Sequence, residues 1–223
     1  IEGLKWAGLL FMTIDHVNKY LFNGVHEWMF AFGRLAMPLF AIVLAYNLAR
    51  SSELNRDALK RVAKRLLFFG LVATPPYILL GGVVDGWWPL NILFTLLVAT
   101  ACIYCLDSPQ VSHKVIGALL FLAAGSIVEF WWPAILFIVL CYLYFRTEKP
   151  LLLVLCALAL ASLYFINGNM WALLAILVIP AAPYVSIQLP RCRRFFYLFY
   201  PAHLVALLLI RIPMEKMGFL FFM

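Results

Sequence analysis

Asp15, His16 and Lys19 interrupt a stretch, LLFMTIDHVNKYLF (9–22), that is otherwise built for an apolar environment. Arg34 interrupts a second apolar run, Asn91 opens a third, and Tyr200 and His203 lie in a last one, FYLFYPAHLV. Histidine is the natural proton acceptor near neutral pH, because its unperturbed pKa is about 6.5. A carboxylate and a guanidinium beside it can set the local field, hold a substrate or steady a developing oxyanion. Asp15 and His16 are sequence neighbours, so on one helix their side chains diverge by about 100° and do not form an ideal orienting pair. Each residue also has a plain structural role open to it. Asp15 can neutralise Lys19 at i,i+4 or serve as counter-ion to Arg34, and His16 can bond Thr13 or Tyr20.

The elements that position these residues follow from composition. Of 223 residues 66% are hydrophobic and 12% charged, with a mean hydropathy of +0.99. A soluble domain carries about twice that charge. Apolar runs at 3–22, 28–49, 60–80, 88–106, 112–127, 131–146, 150–166, 170–187 and 194–212 approach the roughly 20 residues that cross a bilayer. Backbone groups in lipid must be paired within the segment, and strand-like alternation is absent from runs such as LLLVLCALALA (151–161), so each run is expected to be helical. The fold class is therefore all-α: one polytopic bundle spanning 1–223, of about nine spans. An eight-span version counts 112–146 differently.

Lys and Arg set the orientation. Arg50, Arg56, Lys60, Arg61, Lys64, Arg65, Lys114, Arg146, Lys149, Arg191, Arg193 and Arg194 all fall on the side of the N-terminus. The loops NGVHE, GGVVDG, VEF and NGN carry neither, and Trp28, Trp87, Trp88, Trp131, Trp132 and Trp171 gather near them. The N-terminus is thus expected in the cytoplasm. A chain opening on Ile1 carries the expectation of a short piece ahead of it, and the first segment lacks a signal-peptide cleavage pattern. Asp15 and His16 then lie roughly 16–18 Å above Leu4, with Arg34 and His203 at comparable depth. Ionisable groups in mid-bilayer are costly and face the protein interior, so a shared polar cavity is expected.

Other chemistries find no support. Phosphate-binding glycine loops, H-E-x-x-H and a serine elbow are absent. The histidines are not spaced as a metal site, and no metal or nucleic acid is expected. Cys102 and Cys105 are formally C-x-x-C, but in an apolar helix they read as small packing residues. The basic segments RDALKRVAKR (56–65) and RCRR (191–194) can hold phosphates of a cytoplasmic reactant, or can only fix topology and touch anionic lipid. Pro38 and Pro201 can break their helices. Without acyl chemistry, the same buried groups suit a small-solute or proton-coupled transporter, although no repeat is visible.

GLKWAGLLFMTIDHV, EWMFAFGRLAMPLFAIVLAYNLAR, NILFTLL and RRFFYLFYPAHLVALLLI, in this order, resemble the TraX family of membrane proteins. The likeness is strongest in the first, second and last spans, and VEFWWPAIL departs from a glycine-bearing segment expected there. The resemblance implies an inner-membrane, multi-pass acyltransferase moving acetyl from cytoplasmic acetyl-CoA to an acceptor on the outer side. In the best-known member that acceptor is the N-terminus of conjugative pilin; here it extends to a hydroxyl or amine of a glycan or lipid. Carried over, the resemblance makes His16 the base and Asp15 its tuning or orienting partner. Arg34, Asn91, Tyr200 and His203 become acceptor- or oxyanion-binding residues. Asn47 and Arg50 would sit near the coenzyme's adenylate end, and Arg61, Lys64, Arg65, Arg191, Arg193 and Arg194 of the two basic segments would then hold its phosphates.

Overall fold

A computed structural model describes residues 1–50, 56–182, 184 and 195–221. Its regular elements are helices: α1 (Glu2–Leu21), α2 (Glu27–Gly33), α3 (Ala36–Ala49), α4 (Arg56–Leu79), α5 (Ile92–Leu106), α6 (Val111–Gly125), α7 (Trp131–Thr147), α8 (Pro150–Ser162), α9 (Tyr164–Asn167), a 3-10 helix (Trp171–Leu177), α10 (Val178–Ala181) and α11 (Phe195–Lys216). The all-α expectation holds among the described residues.

Helices α3 and α7 are apolar around their whole circumference, which is a sequence signature of a fully enclosed helix. They form the centre: Ala41, Ile42, Ala45, Ala134, Ile135, Phe137 and Ile138 have no solvent exposure. Helices α1, α5 and α8 pack against this pair, while α4 bridges α5 and α11, and α11 also contacts α1. Four helical stretches, Glu27–Ala49, Arg56–Leu79, Pro150–Asn167 and Phe195–Lys216, are long and apolar enough to cross a membrane. Their lipid-facing sides carry Leu67, Phe68, Leu71, Leu151, Val154, Leu158, Leu198 and Leu209 in the open. In water such a surface would be an aggregation site; in lipid it is ordinary.

The stretch 112–146 folds as two helices, α6 and α7, separated by a turn; both are apolar and shorter than the four spanning-length stretches. Three expected spans are less regular than their sequences suggest. The run 28–49 is interrupted between Gly33 and Ala36, 150–166 is interrupted at Leu163, and 170–187 begins as a 3-10 helix. Pro38 does not cause the first interruption. It is the third residue of α3, where a missing N–H costs nothing. Pro201 lies inside an α11 that stays helical through it.

Close helix approach is made by glycine. Gly8 of α1 sits against Phe40, Gly70 of α4 against Phe94 and Leu93, and Gly117 of α6 against Cys105. Cys102, Cys105, Cys141 and Cys156 are buried free thiols, matching their reading as packing residues.

Candidate functional site

Asp15, His16, Arg34, Tyr200 and His203 come from three separate apolar runs, and α1 packs against α2, α3 and α11, which carry or flank them. His16 lies on α1 five residues before its end. His203 lies on α11, and its Nε2 is 2.7 Å from His16 Nδ1. The two rings are nearly coplanar, with an interplanar angle of 13°. His203 Nδ1 is 3.0 Å from the carbonyl oxygen of Phe199, one turn earlier on α11.

Those two contacts fix the tautomers of the neutral pair. A carbonyl oxygen only accepts, so His203 Nδ1 carries the proton and donates to Phe199. His203 Nε2 is then a lone pair, which accepts from His16 Nδ1–H. His16 Nε2 is left as a lone pair, held in orientation by a partner 187 residues away. The logic is that of a base whose second nitrogen is fixed by another group. Tyr20 and Tyr200 flank it, with ring centroids 5.4 and 6.4 Å from that of His16.

Asp15 does not touch His16. Its two oxygens accept from Arg34 Nη2 at 2.7 and 2.8 Å. Arg34 sits in the break between α2 and α3, belonging to neither helix. Its Nη1 donates to Asn167 Oδ1 at 3.0 Å, and the guanidinium lies over the Phe30 ring, 4.2 Å from the centroid. Asp15 can approach so closely because the facing residue is Gly33. A Cβ there would overlap the Asp15 carboxylate. The ion pair is largely enclosed, with side-chain exposures of 13% and 15%. Asp15 thus holds Arg34, as its counter-ion reading expected, while the group bonded to His16 is His203 and not Asp15.

Asn91 is buried, but its groups are committed to structure. Its side-chain oxygen accepts from Leu93 N–H and caps α5, and its amide donates to Gly70 O and Thr74 Oγ1. Asn47, Arg50, Arg61 and Lys64 are exposed and Arg65 partly so, all near the junction of α3 and α4. Arg65 lies over the Tyr197 ring at 5.9 Å. Arg191, Arg193 and Arg194 lie outside the described residues. At the same end of α1, Trp6 packs on Phe195 and Phe196. Its buried Nε1–H has no partner among the described residues. Two surface grooves, of about 520 and 250 Å³, are lined by other residues and include none of the polar set.

Two polar residues of the site carried no sequence signal. Asn167 ends α9 beside Gly168, where an asparagine is ordinary turn chemistry. Glu129 lies in the turn between α6 and α7. Burial pushes its carboxyl above the ordinary glutamate value, against the opposing pull of Lys19 and Arg34. A carboxylate in a turn has no contrast with its surroundings, unlike one inside an apolar run.

Comparison with known proteins places the chain. Among curated proteins, the chain is 29% identical over 216 residues to a Protein TraX of Escherichia coli, covering 92% of this chain and 84% of that relative. A second Protein TraX, from Escherichia coli strain K12, is 34% identical over 99 residues, covering 43% of this chain and 36% of that protein. No solved structure matches. The family model described as TraX protein matches residues 1–211, and the chain therefore belongs to the TraX family.

Proposed function

We propose that this chain is a membrane-embedded acetyltransferase of the bacterial inner membrane. In this reading it crosses the bilayer nine times and moves acetyl from cytoplasmic acetyl-CoA to an acceptor reached from the other side. The acceptor is the N-terminal amine of a pilin-like exported protein, or an amine or hydroxyl of a glycan or lipid. The observation that carries this reading is the histidine pair. A single imidazole in an apolar bundle is a packing residue as easily as a base. An imidazole whose one nitrogen is tied through a second histidine to a carbonyl, leaving the other as a lone pair, has what general-base catalysis requires.

The acceptor's nucleophilic atom bonds to the thioester carbonyl carbon as His16 Nε2 takes its proton. The carbonyl electrons move to oxygen, and the Asp15-anchored Arg34 supplies positive charge to that region. The oxyanion reforms the carbonyl, the C–S bond breaks, and the departing thiolate takes the proton from His16. Charge left on imidazolium in the meantime is shared with His203 through the 2.7 Å contact. The donor's phosphates suit the basic junction of α3 and α4, and the partnerless Trp6 N–H beside α11 offers a donor to an amide or phosphate oxygen of the arm.

Purified protein in detergent, supplied with radiolabelled acetyl-CoA and a free-amine peptide, tests this reading. Label transfer that disappears in His16→Ala, with the variant still monodisperse, is expected. Undiminished transfer by His16→Ala removes the base assignment. The Asp15–Arg34 pair inside the bundle also suits a proton or solute pathway. Solute flux into proteoliposomes without any acyl donor would favour that second reading.

A further inference from the structure

Helix α6 lies at the side of the bundle, packed on α5 and α7. Much of its outward surface is bulky: Val115, Ile116, Leu119 and Leu122 are each more than half exposed. Beside them runs a different stripe, Lys114, Gly117, Ala118 and Phe121, at the i, i+3, i+4, i+7 spacing that puts residues on one helix face. Gly117 is pressed against α5, where a Cβ would meet that of Cys105 at 2.8 Å, and its carbonyl accepts from Cys102 Sγ at 3.7 Å. Ala118 is exposed and has only a methyl with which to fill the gap. The result is a groove of about 250 Å³ along the seam of α5, α6 and α7, walled also by Leu106 of α5 and by Leu136 and Val139 of α7.

The groove is apolar except at one end, where Lys114 lines it. Lys114 is exposed and takes part in none of the ion pairs between described residues. Its neighbour His113 is engaged elsewhere, with Nδ1 2.6 Å from Ser108 Oγ. Lys114 stands in the first turn of α6, the end that the lysine and arginine distribution assigns to the cytoplasmic surface. Phe121 lies seven residues further on, about 10 Å along the axis, so the groove stays within one leaflet of a hydrocarbon layer about 30 Å thick. A volume of about 250 Å³ over that length is a cross-section of about 25 Å², which suits one extended hydrocarbon chain. An α-helix with its side chains is about 10 Å across and too broad to seat there. The occupant is therefore thin, apolar along its length and anionic at one end.

We propose that this groove binds an anionic phospholipid of the cytoplasmic leaflet, with one acyl chain along Gly117, Ala118 and Phe121 and the headgroup phosphate against Lys114. The lysine stem lies along the apolar wall while its ammonium reaches headgroup level. The bound chain fills a seam that protein side chains leave open, and so ties α6 to the central helix α7. The site is separate from the histidine pair and does not depend on acyl transfer.

Native mass spectrometry of the full chain, incubated in detergent with dioleoylphosphatidylglycerol or dioleoylphosphatidylcholine, tests this site. The wild-type protein should retain about fivefold more of the anionic lipid, and that lipid should raise its unfolding temperature. Lys114→Gln, a change at an exposed position, should bring the two lipids to parity, and Lys114→Arg should keep the preference. Lys149→Gln removes an exposed cation outside the groove and should change nothing. Ala118→Trp fills the trough and should lose both lipids. A preference that survives Lys114→Gln, that falls equally in Lys149→Gln, or that outlasts Ala118→Trp overturns the site. Displacement of the lipid by inorganic phosphate would make it an anion site and overturn the lipid assignment. A dimer split by Ala118→Trp with lipid retained would give the groove to a second copy of the chain instead.

Discussion

His203 orients His16 from the other end of the chain: the two imidazoles meet at 2.7 Å, and the Phe199 carbonyl decides which nitrogen of each is bare. His203→Ala is therefore expected to lower kcat about 100-fold with little change in the KM for acetyl-CoA, because the base survives in a mixture of tautomers and rotamers. In His203→Gln the side-chain oxygen can still accept from His16 Nδ1–H, so this variant should keep more activity than His203→Ala. Equal activity in the two would show that only the bulk of His203 matters.

Asp15 and Arg34 are a largely enclosed ion pair that bridges α1 to the break between α2 and α3. Removing one partner strands a charge, which costs about 3–5 kcal/mol in a buried pair. Asp15→Ala or Arg34→Ala alone should lower the detergent-solubilised unfolding temperature by much more than Asp15→Leu combined with Arg34→Met. Thermal unfolding of the four proteins decides it, and a double variant as unstable as the sum of the singles would contradict the pairing.

Gly33 has no side chain because the Asp15 carboxylate occupies that volume. Gly33→Ala should force the carboxylate aside, costing about 1–3 kcal/mol through overpacking. It should weaken acetyl transfer through Arg34 without touching either imidazole. A crystal or cryo-electron structure of the variant with an intact Asp15–Arg34 contact would refute this.

Asn91 attracted notice as a polar residue at the head of an apolar run, yet its oxygen caps α5 and its amide binds Gly70 and Thr74. Asn91→Ala should cost about 1–2 kcal/mol in unfolding free energy and leave the KM for acceptor within about twofold. A KM that rises tenfold in a variant of unchanged stability would return Asn91 to the binding surface.

Much of this site was legible because lipid-compatible sequence is a quiet background. Asp15, His16, Arg34 and His203 are conspicuous inside apolar runs, and depth counting along each helix brings them to a common level. What could not be read was pairing. Nothing local says that His16 faces α11 rather than its neighbour Asp15, because that depends on how α1 is rotated against the rest of the bundle. Asn167 and Glu129 escaped for the opposite reason: both lie at turns, where polar residues are the rule. Pro38, a residue able to break its helix, instead lies in the first turn of α3, after the chain has already turned at Arg34 and Leu35.

Gly8, Gly70 and Gly117 have a consequence beyond their own contacts. Among lipid tails, one greasy surface is as well solvated as another, so oiliness does not hold helices together and interlocking shape must. The spacing of α1 from α3, of α4 from α5 and of α5 from α6 is set by hydrogens standing where a methyl could have stood. The reach between two imidazoles thus inherits its tolerance from bare backbone many residues away, and one carbon atom added at a distant crossing would be felt as a lengthened contact between His16 and His203.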